Sequence, residues 1–383
     1  MRILTRTWRS RGGLLAMPCL VVTMVAGSSG AHGASHASEA RAESPPTTSA
    51  TATDAEPLSL TSIVFSGGFN SDLGRFWLAN ESGYFADLGI ESAEIYSGQA
   101  GADEVLLMLS GEANFVNSGT ASNLLAHDNG APLVSVMTVN GGGTTELVLS
   151  NEAVETLGID PDGDPLEQFR AMQGSGLTIG VPSEGGTNAI ILRYLVEHNE
   201  MELGEDVTME ALGGTANMVA GFLSGQIDGF ISPVPASIQP DSLRVRLNDI
   251  PPVSDSTSIA LVTTQDMIDD HPDVVQAVVT GYLQAAELAK TDPATAFETA
   301  RGWLERSGVE DEATQREVYE STIVGWDTPA TSHEMYDALL TLTNAGLDEA
   351  EQIETPFADF VNNSFVNQAI TDLGLDYPLG PEN

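Results

Sequence analysis

The residues of this chain best suited to hold another molecule are small and uncharged, and they come in loops. Ser66, Gly67, Gly68, Phe69 and Asn70 follow one short run of alternating apolar residues, and Ser183, Gly185, Gly186, Thr187 and Asn188 follow another. A helical pattern comes after each loop. The first N–H groups of two helices therefore stand at the loops without intrahelical partners, an arrangement that favours an anion or a polar head group. Asn117, Ser118 and Thr120 close a third strand pattern, and Ser232 and Pro233 close its counterpart further on. Gly98 sits where backbone without a side chain lets a ligand approach closely. Ser, Thr and Asn also cap helices and form turns, and capping alone accounts for one such loop. The same pattern at corresponding strand ends in two places points to ligand duty. The chemistry on offer is hydrogen bonding to a captured molecule.

Other reactive types are sparse. Arg75 and Arg193 lie within two turns of the two helix starts, and a guanidinium can grip a carboxylate or sulfonate through two parallel bonds. In so acidic a chain the commoner fate of an Arg is a surface ion pair. Phe69, in a loop, is the stacking candidate for a flat ligand. Phe76 and Trp77 stand at helical spacing from Tyr84 and Phe85 and read as core. Of His127, His198, His271 and His333, none falls in a strand-end loop. The acidic stretch Asp160 to Pro165 has carboxylate spacing of a calcium loop, but Pro165 stands where the required Gly belongs, so it reads as a solvated turn. No catalytic residue, metal ligand or cofactor is expected.

The elements that must position these loops come as one unit written twice. Leu109-Ser-Gly-Glu-Ala-Asn114 is matched by Leu223-Ser-Gly-Gln-Ile-Asp228, and Leu88-Gly89 by Leu203-Gly204. Each copy reads as strand, Ser/Gly loop, helix, strand, Gly turn, helix, strand and polar loop. That order builds a parallel α/β sheet with its loops gathered at the strand C-termini. Two such lobes facing each other make a cleft. The first lobe is expected over 58–145 and again over 256–383, with the second, 146–255, inserted between two hinge strands. Helices expected at Ala285 to Leu304, Glu312 to Val324 and His333 to Ala345 should pack on the first lobe.

The first 33 residues stand apart. Arg2, Arg6, Arg9 and Arg11 precede an apolar stretch, Leu14 to Ala26, and small residues follow it, as in an export signal of the cleaved kind. Cys19 is the single cysteine and lies inside that stretch. Its neighbours do not suit lipidation, so the exported chain carries no thiol, which removes disulfides, cysteine nucleophiles and thiolate ligands together. Residues 34–57 are Ala, Ser, Thr, Pro and Glu, a tether that cannot bury a core. Without the leader's arginines the chain has 10 basic against 55 acidic residues, and Lys290 is its one lysine. Such a field repels nucleic acid and anionic membrane and suits a soluble monomer in high salt.

Phe76-Trp-Leu-Ala-Asn-Glu-Ser-Gly-Tyr-Phe-Ala-Asp-Leu-Gly-Ile90, Ser110-Gly-Glu-Ala-Asn114, Leu177-Thr-Ile-Gly-Val181 and Asp266 to Val275 together resemble segments of one known family. It is that of the periplasmic substrate-binding proteins of nitrate, sulfonate, taurine and thiamine-precursor importers driven by ATP. The resemblance covers about Ile63 to Ala300. It implies the type II periplasmic binding protein fold, each lobe a mixed sheet flanked by helices. It also implies a small anionic or heteroaromatic ligand between the lobes, and a permease and an ATPase as partners. In that fold Ser66 to Asn70, Gly98, Asn117, Ser118 and Thr120 form one wall, and Ser183, Gly185, Gly186, Thr187 and Asn188 with Ser232 and Pro233 the other. Two departures stand out: Asn114 replaces an acidic residue, and Gly174-Ser-Gly176 replaces a basic tripeptide. Enzymes on the same scaffold are the rival. The desulfinase type needs a cysteine nucleophile, and the pyrimidine-synthase type a histidine-rich site.

Overall fold

The computed structural model describes residues 58–66, 73–96, 101–141, 145–232, 242–306, 309–345, 347–348 and 351–382. The chain divides into Met1–Ala55 and Glu56–Asn383, and the described residues all belong to the second unit. The expected export signal, and the tether up to residue 57, lie outside them, as do the site candidates Gly67, Gly68, Phe69, Asn70, Gly98 and Pro233.

The strands are β1 (Ser62–Ser66), β2 (Ser92–Tyr96), β3 (Phe115–Gly119), β4 (Leu133–Gly141), β5 (Glu146–Leu149), β6 (Leu177–Val181), β7 (Val207–Ala211), β8 (Gly229–Ser232), β9 (Leu243–Arg246) and β10 (Thr257–Thr264). They form two five-stranded mixed sheets, ordered β2-β1-β3-β10-β4 and β7-β6-β8-β5-β9. The orders correspond strand for strand. In each sheet three parallel strands sit beside one antiparallel strand, β10 or β5, which in sequence directly follows a strand of the other sheet.

The repeat extends to its small devices. Gly111 and Gly225 end matching helices at φ of 80° and 75°, and Gly89 and Gly204 turn at 93° and 97°, conformations that glycine adopts without strain. Asn114 Oδ1 accepts from Val64 N at 2.8 Å, and Asp228 Oδ2 accepts from Thr178 N at 2.8 Å. The bond needs one side-chain oxygen and no charge, so Asn114 does in the first lobe what the acid does in the second.

The helices of the first half are α1 (Gly74–Glu81), α2 (Tyr84–Asp87), α3 (Gly101–Leu109), α4 (Thr120–Asp128), α5 (Asn151–Leu157), α6 (Pro165–Arg170), α7 (Thr187–His198) and α8 (Thr215–Leu223). The remainder are α9 (Gln265–Asp270), α10 (Pro272–Thr291), α11 (Pro293–Arg306), α12 (Glu312–Ile323), α13 (His333–Asn344), α14 (Phe357–Phe360) and α15 (Ser364–Leu373). The single helix expected from Ala285 to Leu304 is thus two. Pro293 has no N–H to continue α10, and the Asp292 carboxylate accepts from Thr295 N at 3.2 Å to start α11.

One core lies under the first sheet, where Phe65, Phe76, Phe85 and Tyr282 meet ring to ring, Phe65 and Phe76 at 4.5 Å. Phe76 and Trp77 belong to it, as their spacing suggests. The largest second cluster takes in Ile179, Ile191 and Val245 from the second lobe together with Ala121 and Leu124 of α4 and Tyr336, Leu339 and Leu342 of α13. Here the tail departs from the expected packing. α10, α11 and α15 lie on the first lobe's core, whereas α13 fills the seam behind α4 and α7, because its apolar stripe is shared between both.

Candidate functional site

Strand-end residues of the first lobe are held firmly from within. Ser66 ends β1 fully buried, and its Oγ meets no hydrogen-bond partner among the described residues. Asn117 and Ser118 on β3 are also buried. Ser118 Oγ lies 3.2 Å from Asn123 Nδ2, tying the strand to α4. Thr120 Oγ1 stands 3.4 Å from Thr257 Oγ1 at the start of β10. These two hydroxyls join elements of the lobe itself, a role the sequence reading did not separate from ligand contact.

In the second lobe the loop after β6 folds tightly onto α7. Gly186 donates its N–H to Ser183 O at 3.2 Å, and a Cβ on it would come within 2.8 Å of Ser183 Oγ. Gly185 has open space where a Cβ would stand. Asn188 Nδ2 donates to Ile231 O at 3.0 Å and so fastens α7 to β8. Ser232 ends β8 opposite Glu146 on β5. The Ser183 Oγ has no partner among the described residues.

Thr187 crosses from one lobe to the other. Ser122 N, in the first turn of α4, donates to Thr187 Oγ1 at 3.4 Å. A Cβ on Gly119 would collide with Thr187 Oγ1 and lie 2.8 Å from Thr187 Cβ. The β3–α4 junction and the β6–α7 loop therefore touch, and they touch only because residue 119 has no side chain. Thr187 was legible from sequence, but Gly119 and Ser122 were not. The available signal was a side-chain-free residue between Ser118 and Thr120 at a strand-to-helix junction. Beside the contact, Ala121, Thr187, Ile191, Thr257 and Leu339 line a cavity of about 10 Å³, room for one water at most.

The helices differ in how their first N–H groups are met. α5, α6, α9, α12 and α13 each have a side-chain cap, from Ser150, Asp164, Thr264, Asp311 and Ser332, and an acidic residue in the first turn. α1, α4, α7 and α8, which follow the C-terminal ends of β1, β3, β6 and β7, have neither. Among the described residues this leaves positive ends at these helix starts, although the Ser122 N–H of α4 is met across the seam by Thr187 and α3, which follows β2, carries Asp103 and Glu104 in its first turn.

Neither arginine near these edges has the surface ion pair expected of it. Arg193 is partly exposed on α7, without an ion pair among the described residues. Arg75 is wholly buried. At the opposite flank Arg244 on β9 sits 3.6 Å from Glu146 and 3.8 Å from Glu317 on α12, an ionic bridge from the second sheet to a helix beside the first lobe's core. Burial raises the Glu146 pKa, with Arg244 pulling it back only in part. Among the described residues no cluster of His, Cys, Asp and Glu could hold a metal ion, and no helix is long and apolar enough to cross a membrane.

A family model described as the NMT1-like family matches residues 68–304. Among solved structures, a protein from Bordetella bronchiseptica RB50 superposes with a TM-score of 0.69 at 16% identity, covering 83% of this chain and 100% of its own. The periplasmic nitrate-binding protein NrtA from Synechocystis PCC 6803 gives 0.64 at 15%, covering 86% and 94%. The alkanesulfonate-binding protein SsuA from Xanthomonas axonopodis pv. citri, bound to MOPS, gives 0.61 at 17%, covering 81% and 100%. At these identities the likeness is one of fold, and the fold is that of periplasmic binding proteins. No curated protein matches.

Proposed function

The chain belongs to the NMT1-like family, and from that premise we propose that it is the extracytoplasmic solute-binding subunit of an ABC importer, capturing a small anion and handing it to the permease. The observation that carries this reading is that, among the described residues, α4 in the first lobe and α7 and α8 in the second start at strand ends without a side-chain cap from the N-cap residue or an acid in the first turn, and that α4 and α7 meet at Gly119 and Thr187. A ligand that supplies the missing negative charge to both sides draws the lobes together, and no bond in it need be made or broken. Of the ligand classes implied by the resemblance, this electrostatic setting favours sulfonate, carboxylate or nitrate over an uncharged ring. The protein is exported by its leader, works as an unlipidated monomer outside the cytoplasm, and carries its acidic surface as an adaptation to salt.

The test is a thermal-shift and calorimetry panel of nitrate, alkanesulfonates, aromatic carboxylates and uncharged pyrimidines. A ligand at about 100 times its Kd adds roughly 2.7 kcal/mol to stability. Protection by an anion, with the molecule recovered unchanged, is the expected result. Protection by none of them, together with turnover of any, overturns the reading.

A further inference from the structure

Arg244 is the one cation whose ion pairs, among the described residues, reach beyond its own stretch of chain. Those of Arg170, Arg246, Lys290, Arg301 and Arg316 all join residues three or four apart. Arg244 Nη1 instead stands 3.6 Å from Glu146 Oε2 and 3.8 Å from Glu317 Oε1. Arg246, on the same face of β9 two residues on, is taken up by Asp249 at 2.7 Å. Glu146 and Arg244 both belong to the second sheet, where β5 and β9 pair with each other, and their side chains are largely shielded from solvent. Arg244 therefore stays with the second lobe. Glu317 belongs to the first. Its helix, α12, is fixed there by Tyr319, which lies in the first lobe's core and meets Phe297 of α11 ring to ring at 5.6 Å. The Glu317 carboxylate itself is exposed.

The place matters as much as the pair. Glu146 is the first residue of β5, the strand entered on crossing from the first sheet, and β9 is the last strand before the chain crosses back to β10. Arg244 thus links the lobes beside both crossings. α13 also links them, but through apolar side chains shared with α4 and α7. The two links differ in kind. Attraction between charges is weakened by concentrated salt and by a displacement of a few ångströms. The apolar seam has no charge to screen.

We propose that Arg244 and Glu317 form an ionic latch across the hinge: Glu146 holds Arg244 in place on the second lobe, and Glu317 engages it when the lobes stand with Ser122 against Thr187. An attraction present in only one arrangement shifts the population toward that arrangement, so the latch favours it before any ligand arrives. Salt is its release. An exposed pair contributes little by itself, but two arrangements that differ by little need only a small bias. The latch acts whatever the ligand is, and it stands independently of the anionic reading above.

The experiment measures the separation of the lobes in the exported chain with no ligand present. Cys19 lies in the leader, so that chain has no thiol of its own, and spin labels go on cysteines introduced at Glu205 and Glu310, exposed positions of the second and first lobes. At about 0.1 M sodium chloride the parent is expected to show one dominant separation. Glu317→Gln should raise the share of molecules at a second separation about two- to fivefold, and Glu317→Lys, which repels Arg244, should raise it further. Glu320→Gln, an exposed change on the same helix, removes the same charge and should leave the parent's distribution as it is. At about 2 M salt the parent should approach Glu317→Gln, which itself should hardly respond. Glu317 is exposed, so these variants keep the fold, and their unfolding midpoints check it. Identical distributions for the parent and Glu317→Lys, an equal response to Glu320→Gln, or a parent that salt leaves unaltered overturns the latch while solute capture stands. A chain that captures no solute yet shows the expected shifts keeps the latch and removes the proposed function.

Discussion

At residue 119 the two lobes are one methyl group away from collision, and that single position makes closure testable. Gly119→Ala places a Cβ against Thr187 and should weaken anion affinity tenfold or more; because Ala121 and Ile191 beside the contact belong to a core cluster shared by both lobes, the unfolding midpoint should fall as well. Scattering should show the variant less compact in the presence of ligand. Adding Thr187→Gly removes both clashing atoms and should recover part of the affinity, which separates a steric block from a damaged fold. Asn114 offers the opposite kind of test. Asn114→Asp keeps the oxygen that accepts from Val64 N and should be tolerated, whereas Asn114→Ala strands that N–H and should cost about 1–3 kcal/mol in denaturant unfolding. The equivalence of Asn114 and Asp228 was visible in the repeated Ser-Gly segments. Gly119 was not, because nothing in its neighbourhood along the chain announces a partner in the other lobe.

Among the secondary-structure elements, the division between capped and uncapped helices carries the functional argument. Gly214 is the N-cap of α8, with an extended backbone (φ −65°, ψ 167°) that an aspartate can adopt. Gly214→Asp should gain a few tenths of a kcal/mol in stability and lose several-fold in anion affinity, since the new carboxylate takes the donors and the field that the ligand needs. Unfolding curves and calorimetry on the same variant decide it; higher stability with unchanged affinity places the start of α8 outside the site. β5 carries a second consequence. Burial holds the Glu146 pKa above its ordinary value, so the folded chain binds that proton more tightly than the unfolded chain. Its contribution to stability is therefore greatest below the ordinary carboxylate range and declines as pH rises through the raised value. Glu146→Gln should flatten that part of the stability profile, measured as unfolding midpoints from about pH 4 to 7. Unchanged slopes would show that Arg244 holds the carboxylate ionised in the fold.

For the whole molecule the dominant surface fact is a formal net charge of −41 against 14 basic residues. The ion pairs of Arg170, Arg246, Arg301 and Arg316 join close neighbours on the chain and are largely exposed, so they do little against the general repulsion. Unfolding midpoints should rise between about 0.1 M and 2 M sodium chloride, where screening shortens from roughly 10 Å to a few Å; coincident midpoints would remove salt adaptation as the reason for the charge. The duplicated unit and the acid-rich composition were determined by the sequence itself, because each is local: a periodicity, a glycine at a turn, a count of residues. What the tertiary structure alone decided is which of those local groups remain open. It turned Ser118, Thr120 and Asn188 inward to hold their own lobes, buried Arg75 in the first lobe, drew α13 into the seam, and set Ser122 against Thr187 across 65 residues of chain. Such pairings depend on how two separately built lobes approach each other, and the spacing of residues along either lobe carries no record of that approach.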